Sequence, residues 1–302
     1  MHPSLHLSPE TAKGVELGQA FVALESTLIA HGLPYPHNLQ TARAAEEAVR
    51  QYGACPATIA VLQGRIHIGL THTQLQELAT SKEILKASRR DLAPCIALKR
   101  SAATTVSATM YLAAQAGIQI FATGGIGGVH RDVNDTLDIS ADLIELSRTP
   151  VAVVCSGIKN ILDLPRTLEQ LETLGVPVIG YRTAELPAFY VEKSGCPLEW
   201  QLDTPNQIAR LLHAHWQMNG AGVVIAQPPL AELSLPLEEF QTAMALAERE
   251  AVAQNIRGKQ LTPFLLQRLA VHTHGRTLEV NSALILENAN LAAQIAMSLA
   301  RL

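Results

Sequence analysis

Two ionisable side chains stand where an apolar run ends. Glu25 follows residues 20–24 (AFVAL), and Lys159 closes Cys155-Ser-Gly-Ile-Lys after residues 151–155 (VAVVC). A carboxylate at the end of a buried strand is partly desolvated, which raises its pKa toward general acid work. The plain alternative is a surface acid. A lysine at such an end also loses solvation, which favours the neutral amine. A neutral amine can attack a carbonyl and form a Schiff base. Most lysines are simply surface residues, and only position separates Lys159 from them.

Other segments could hold an anion or a metal. Residues 122–130 (ATGGIGGVH) place four glycines in five positions directly after the run IQIFAT. Backbone without Cβ atoms can approach an oxyanion closely, or can simply turn. No Gly-Lys-Ser/Thr follows, and the spacing is not that of a dinucleotide fingerprint. Asp138 and Asp142 are four apart; on a helix they share a face near its positive end, where two carboxylates could hold a hard divalent cation. The simpler reading is a capping Asp138 and a solvated Asp142. Lys86-Ala-Ser-Arg-Arg-Asp91 gathers three cations and an acid, which suits a phosphate clamp or a solvated turn. His31 and His37 flank Gly-Leu-Pro-Tyr-Pro at a spacing that is not a helical metal-ligand spacing. Asn281 falls in a polar gap before the last helical pattern, as a ligand contact or a cap.

The elements that must position these residues alternate. Strand patterns cover 20–24, 57–63, 65–70 (a hairpin about Gly64), 96–99, 118–123, 151–155, 176–181 and 221–226. Helical patterns cover 41–51, 105–115, 138–148 with Asp138 as N-cap, 165–174, 205–216, 236–255, 264–271 and 282–299. VAVVC and VVIA are continuously apolar, as strands covered on both faces are. This order predicts an α/β fold, with a mostly parallel or mixed sheet between helical layers. No linker, repeat or low-complexity tract divides the 302 residues, so one domain is expected; residues 185–205 could form a cap.

Composition excludes several classes. Hydrophobic residues make up 48% and charged residues 17%, far from a disordered chain. A net charge of −4 without a clustered basic face gives no footprint for nucleic acid. The 4 cysteines, Cys55, Cys95, Cys155 and Cys196, are scattered, without a zinc-ribbon or redox pair. No apolar stretch reaches the roughly 18 residues of a membrane span. The first fourteen residues do not read as a signal peptide. A cytoplasmic, reducing location is expected.

Taken together, VALESTLIAHGLPYPHN, ATIAVLQGRIHIGL, KASRRDLA, ATTVSATMYLAAQAGIQIFATGGIGGVHR, DISADLIEL, VAVVCSGIKNILDLPRTLEQLETLGVPVIGY, LPAFY and GKQLTPFLLQR resemble the pseudouridine-5'-phosphate glycosidase family, also called indigoidine synthase A-like. The resemblance runs in order from about residue 16 to residue 299. It implies a three-layer α/β/α fold, a homotrimer and a divalent metal such as manganese (Mn2+). It implies interconversion of pseudouridine 5'-phosphate and water with uracil and ribose 5-phosphate. Lys159 in CSGIK looks like the nucleophile that forms an imine with C1' of the opened ribose. Glu25 in ALEST looks like the acid that protonates the departing base. Asp138 in DISAD looks like the metal ligand, with Ser140, Ala141 and Asp142 lining the substrate site. Lys86 and Val106 match substrate contacts, with Thr123, His130 and Asn281 as further contacts.

The chain departs from the family pattern at Ala102, where glycine is common, at Gln227, where asparagine is common, and over 131–135. None of these removes a proposed catalytic residue. A C–C glycoside offers no leaving-group heteroatom to protonate, so a carboxylate pair cannot do the whole job. An amine that holds C1' as an imine, beside a proton donor, can. The alternatives are the same chemistry on a related C-nucleoside phosphate and a non-catalytic sugar-phosphate binder. The second would not need Lys159 and Glu25 together.

Overall fold

The computed structural model describes residues 5–302, the side chain of Lys259 excepted. The first four residues of the stretch read for a leader lie outside them. The N-terminal half comprises β1 (Leu5–Leu7), α1 (Pro9–Glu16), β2 (Phe21–Glu25), a π-turn at Leu28–Gly32, α2 (His37–Gln51), β3 (Cys55–Leu62), β4 (Arg65–Ile68), α3 (His72–Thr80), β5 (Leu85–Ala87), α4 (Leu92–Ala97), β6 (Ala102–Thr104) and α5 (Val106–Gln115). There follow β7 (Ile120–Ala122), α6 (Val133–Thr136), α7 (Ala141–Leu146), β8 (Ala152–Cys155), α8 (Leu164–Thr173), β9 (Val178–Tyr181), β10 (Trp200–Leu202), α9 (Pro205–Gln217) and β11 (Val223–Ala226). Three helices end the chain: α10 (Leu237–Ala253), α11 (Leu261–His272) and α12 (Arg276–Leu299).

The main sheet runs β1-β4-β3-β2-β7-β8-β11-β9-β10, with β6 paired to β3 and β5 to β6. Every pairing is parallel except β3 with β4 and β3 with β6. All residues of β3, β7, β8 and β11 are buried, so both faces are covered. Helix α12 lies across β2, β7 and β8 beside α2 and α9, while α5 packs on β2 and β3 with α7. One apolar cluster unites nearly all the strands, from Val22 to Ala226, with the terminal helices. The protein is a single-domain α/β fold with a mixed, mostly parallel sheet, as the alternating pattern predicts.

Several helices are closed by caps local in sequence. Thr71 with Gln74, and Thr204 with Gln207, form reciprocal capping boxes, and Asp163 caps α8 ahead of Pro165. Four expectations fail. Residues 96–99 are not a strand: Ile96 and Ala97 belong to α4, and Lys99 turns the chain with φ of 50°. The helix placed over 138–148 starts at Ala141, capped by Ser140. Ile139 pairs with Val129, and the Asp138 carbonyl accepts from His130 N, so residues 138–140 stay extended. Asn281 lies within α12 rather than ahead of it. Residues 185–205 form no separate cap, because Leu186, Phe189 and Tyr190 are buried in the common core.

Candidate active site

Strands β2 and β7 are neighbours, yet the chain leaves them in opposite directions, β2 toward β3 and β7 toward β8. Beyond the carboxyl ends of parallel strands, such a divergence opens a crevice. Glu25 ends β2, Thr123 follows β7, and Lys159 lies just beyond β8. A cavity of about 270 Å³ opens there, lined among others by Glu25, Lys86, Val106, His130, Asp138 and Lys159. An inner chamber of about 50 Å³ continues from it and shares Glu25, Thr27, Lys86, Lys159 and Thr262. Its own walls include His31, Gly124, Phe189, Leu266 and Asn281.

Glu25 is held in a defined state. Thr123 Oγ1 donates to Glu25 Oε1 at 2.5 Å. Burial pushes the carboxyl above its ordinary pKa, against the Lys159 and Lys86 charges and the Thr123 hydrogen bond, which pull it down. The result is an acid that keeps its proton beyond the usual carboxylate range. Thr123 is itself fastened by Asn288, a fully buried side chain of α12 whose Nδ2 donates to the Thr123 carbonyl at 2.9 Å.

Lys159 is placed by backbone pairing. Its N–H donates to the Ile126 carbonyl, and Ile126 N–H donates to the Gly157 carbonyl, both at 3.1 Å. The segments after β7 and β8 thus run on together past the sheet. Gly157 permits the turn with φ of 76°, and a Cβ there would strike the Pro187 carbonyl.

The glycine loop lines both chambers, and part of its backbone is already engaged within the protein. Its N–H groups at Ile126, Gly127 and Val129 are taken by Gly157, Asp142 and Thr167. A Cβ at Gly127 would meet Ser140 and Asp142, and one at Gly128 would meet Thr167. The glycines let protein segments close on one another.

Asp142 is correspondingly engaged. Its Oδ1 accepts from Ser107 N and its Oδ2 from Gly127 N, both at 2.9 Å. It lines the cavity with Ser140 and Ala141, but its carboxylate ties α5, α7 and the loop together. Asp138 and Asp142 do not share a helix face, because only Asp142 is helical. The basic clamp is also smaller than the sequence suggests. Arg89 donates twice to the buried Glu145, at 3.1 and 3.0 Å, and stacks over Tyr111. Lys86, Ser88 and Arg90 remain at the cavity wall.

Among the described residues no group of three or more His, Cys, Asp and Glu side chains could encage a metal ion. Asp138 offers one carboxylate at the cavity wall, with His130 Nε2 at 3.9 Å from its Oδ2. That donor set fits a hydrated hard cation which keeps waters or takes substrate oxygens as its remaining ligands.

The structure therefore brings all the sequence-derived site residues but one to the two chambers; the exception, Thr123, acts through Glu25. Sequence reasoning gave no role to His31, Phe189, Thr262 or Asn288. Three of these carry no local chemical signal, and His31 was set aside on its spacing to His37.

A family model described as Indigoidine synthase A like protein matches residues 10–298. A Herpetosiphon aurantiacus protein described as pseudouridine-5'-phosphate glycosidase is 52% identical over 296 residues, covering 98% of each chain. One of the same description from Caldanaerobacter subterraneus is 50% identical, covering 100% of this chain and 99% of its own. The prealnumycin C-glycosynthase AlnA, solved with ribulose 5-phosphate, superposes with a TM-score of 0.91 at 37% identity, covering 100% of this chain and 98% of its own. An indigoidine synthase A-like protein of Thermotoga maritima gives 0.90 at 34%, covering 100% and 99%.

Proposed function

Because this chain is an enzyme of the indigoidine synthase A-like family, we propose that it cleaves, reversibly, the C–C glycosidic bond of pseudouridine 5'-phosphate to give uracil and ribose 5-phosphate. The observation that carries this reading is the convergence of Lys159 and a proton-retaining Glu25 on one crevice. The Lys159 amine attacks C1' and the ribose ring oxygen leaves, opening the sugar. The nitrogen lone pair then drives cleavage of the C1'–C5 bond as Glu25 delivers a proton to C5 of the base. Uracil departs and C1' remains as a protonated imine, which water hydrolyses to release ribose 5-phosphate and the free amine.

The outer cavity receives the sugar phosphate, with Lys86, Ser88 and Arg90 facing the anion. The inner chamber receives the base against Phe189 and Asn281. A divalent cation, manganese in this reading, is held by Asp138 and supplies positive charge near the phosphate or hydroxyl oxygens.

The chain works as a cytoplasmic homotrimer in this reading. No described helix is long and apolar enough to cross a membrane. Large apolar side chains on the surface support subunit contact: Leu137 and Val252 are each 81% exposed.

The test is a product assay with metal present, in which uracil is quantified after incubation with pseudouridine 5'-phosphate. Borohydride added during turnover is expected to trap a ribose 5-phosphate adduct on Lys159, seen by mass. Lys159→Ala is expected to release no uracil and trap no adduct, and chelation of the wild type by EDTA to stop release. Uracil from Lys159→Ala at the wild-type rate would sink the imine. A second reading, bond formation to a different carbon acceptor, is favoured by the likeness to a C-glycosynthase. It predicts the trapped adduct with ribose 5-phosphate but no uracil from pseudouridine 5'-phosphate.

A further inference from the structure

Two residues of the inner chamber carry hydrogen-bonding atoms that nothing among the described residues meets. His31 Nε2 and Asn281 Oδ1 are buried and have no partner among the described residues, and both residues line this chamber. A buried polar atom left unpartnered carries its full desolvation cost unless a ligand offsets it. The state of the imidazole follows from its surroundings. The Leu85 backbone favours a proton on the ring, and with Nε2 unpartnered that proton is assigned to Nδ1. Burial, and to a lesser degree the Lys86 charge, hold the ring neutral against that backbone pull. Nε2 is then an acceptor with a lone pair and no proton.

The ring is also held in place. It belongs to the π-turn Leu28–Gly32, a wide turn of the kind that recurs at functional sites. Asn38 Nδ2 fastens that turn by donating to the Ile29 carbonyl at 2.7 Å and to the Ala79 carbonyl at 3.0 Å.

Resting on the function proposed above, we propose that His31 reads the base: its Nε2 accepts a hydrogen bond from a ring N–H of a carbon-linked pyrimidine. A uracil linked through C5 keeps both ring N–H groups, whereas a nitrogen-linked uracil has given one to its glycosidic bond. Two unpartnered acceptors, on His31 and Asn281, match the two donors of the carbon-linked base. Phe189 and Leu266 supply apolar surface for its flat ring. His31 is a specificity residue in this account and takes no part in bond breaking.

The test runs the reaction toward synthesis, with uracil and ribose 5-phosphate, on wild type, His31→Phe and His31→Gln. His31→Phe keeps a flat ring without the acceptor. It is expected to raise KM for uracil by about tenfold or more, with KM for ribose 5-phosphate and the trapped Lys159 adduct unchanged. His31→Gln, whose amide oxygen restores an acceptor, is expected to recover part of the loss. An unchanged uracil KM in His31→Phe overturns the inference. A second measurement needs no variant: calorimetric binding of uracil, 1-methyluracil and 3-methyluracil to the wild-type enzyme. Weakening of about tenfold by one methyl group supports the inference, and equal binding of all three overturns it. A wild type that neither makes nor cleaves pseudouridine 5'-phosphate refutes the underlying function, which is distinct from an active wild type with an indifferent His31.

Discussion

At the scale of single residues, Glu25 shows how surroundings set chemical role. Its carboxyl stays protonated above the ordinary range because burial outweighs two nearby lysines and a threonine hydroxyl. The acid form is the competent one, so activity is expected to fall as pH rises through that raised value. Glu25→Gln should lose this alkaline limb along with activity, by roughly 10²–10⁴-fold. Stability also falls as pH rises. A folded-state pKa above the unfolded value contributes stability that is complete below the ordinary carboxylate range and is lost as pH rises through the raised value. Glu25→Gln is therefore expected to melt above the wild type at about pH 8, with the gap closing toward about pH 4. Equal melting temperatures across that range would contradict the assignment.

At the scale of elements, the site is held by a few polar ties between segments that follow different strands. Asp142, from the first turn of α7, grips Ser107 N at the start of α5 and Gly127 N in the loop after β7. Asp142→Asn would point an amide donor at one of these N–H groups and leave it buried without an acceptor. The expected cost is ~1–3 kcal/mol, read from denaturant unfolding. Activity should fall further than stability alone explains, because Val106 and Lys159 both depend on this junction. A variant as stable as the wild type would show the tie to be dispensable. The four glycines belong to the same junction. They occur where segments close to contact distance, which is the turning role the sequence allowed beside an oxyanion cradle.

At the scale of the whole molecule, the divergence of β2 and β7 decides where chemistry can happen. It places a strand-end acid, a strand-end lysine and the Lys86 segment of β5 around one opening, and α11 covers it through Thr262 and Leu266. The exposed apolar residues lie elsewhere on the surface as well, with Met218 at 76% and Leu98 at 70% exposure. If they mark subunit contacts, sedimentation should show one species at three times the 32.5-kDa chain, and charged substitutions at Leu137 and Val252 should lower that mass. A wild type that sediments as a single chain would refute the trimer.

The sequence by itself determined the α/β class, because continuous apolar strands alternating with capped helices admit few other arrangements. It also singled out Glu25 and Lys159, because each carries its functional group at the end of an apolar run. It misplaced the start of α7 and of α12 by a few residues. At α7, Asp138 and Ser140 are both good caps, and only the pairing of Ile139 with Val129 chooses between them. Tertiary structure alone decided that Asp142 and Arg89 are internal ties, since the partners of Asp142 lie 35 and 15 positions away in the chain and that of Arg89 lies 56 away. It alone gathered His31, Phe189 and Asn281, from three distant segments, around one chamber. Local spacing reports which face a residue takes on its own element; the partner it meets depends on how that element packs.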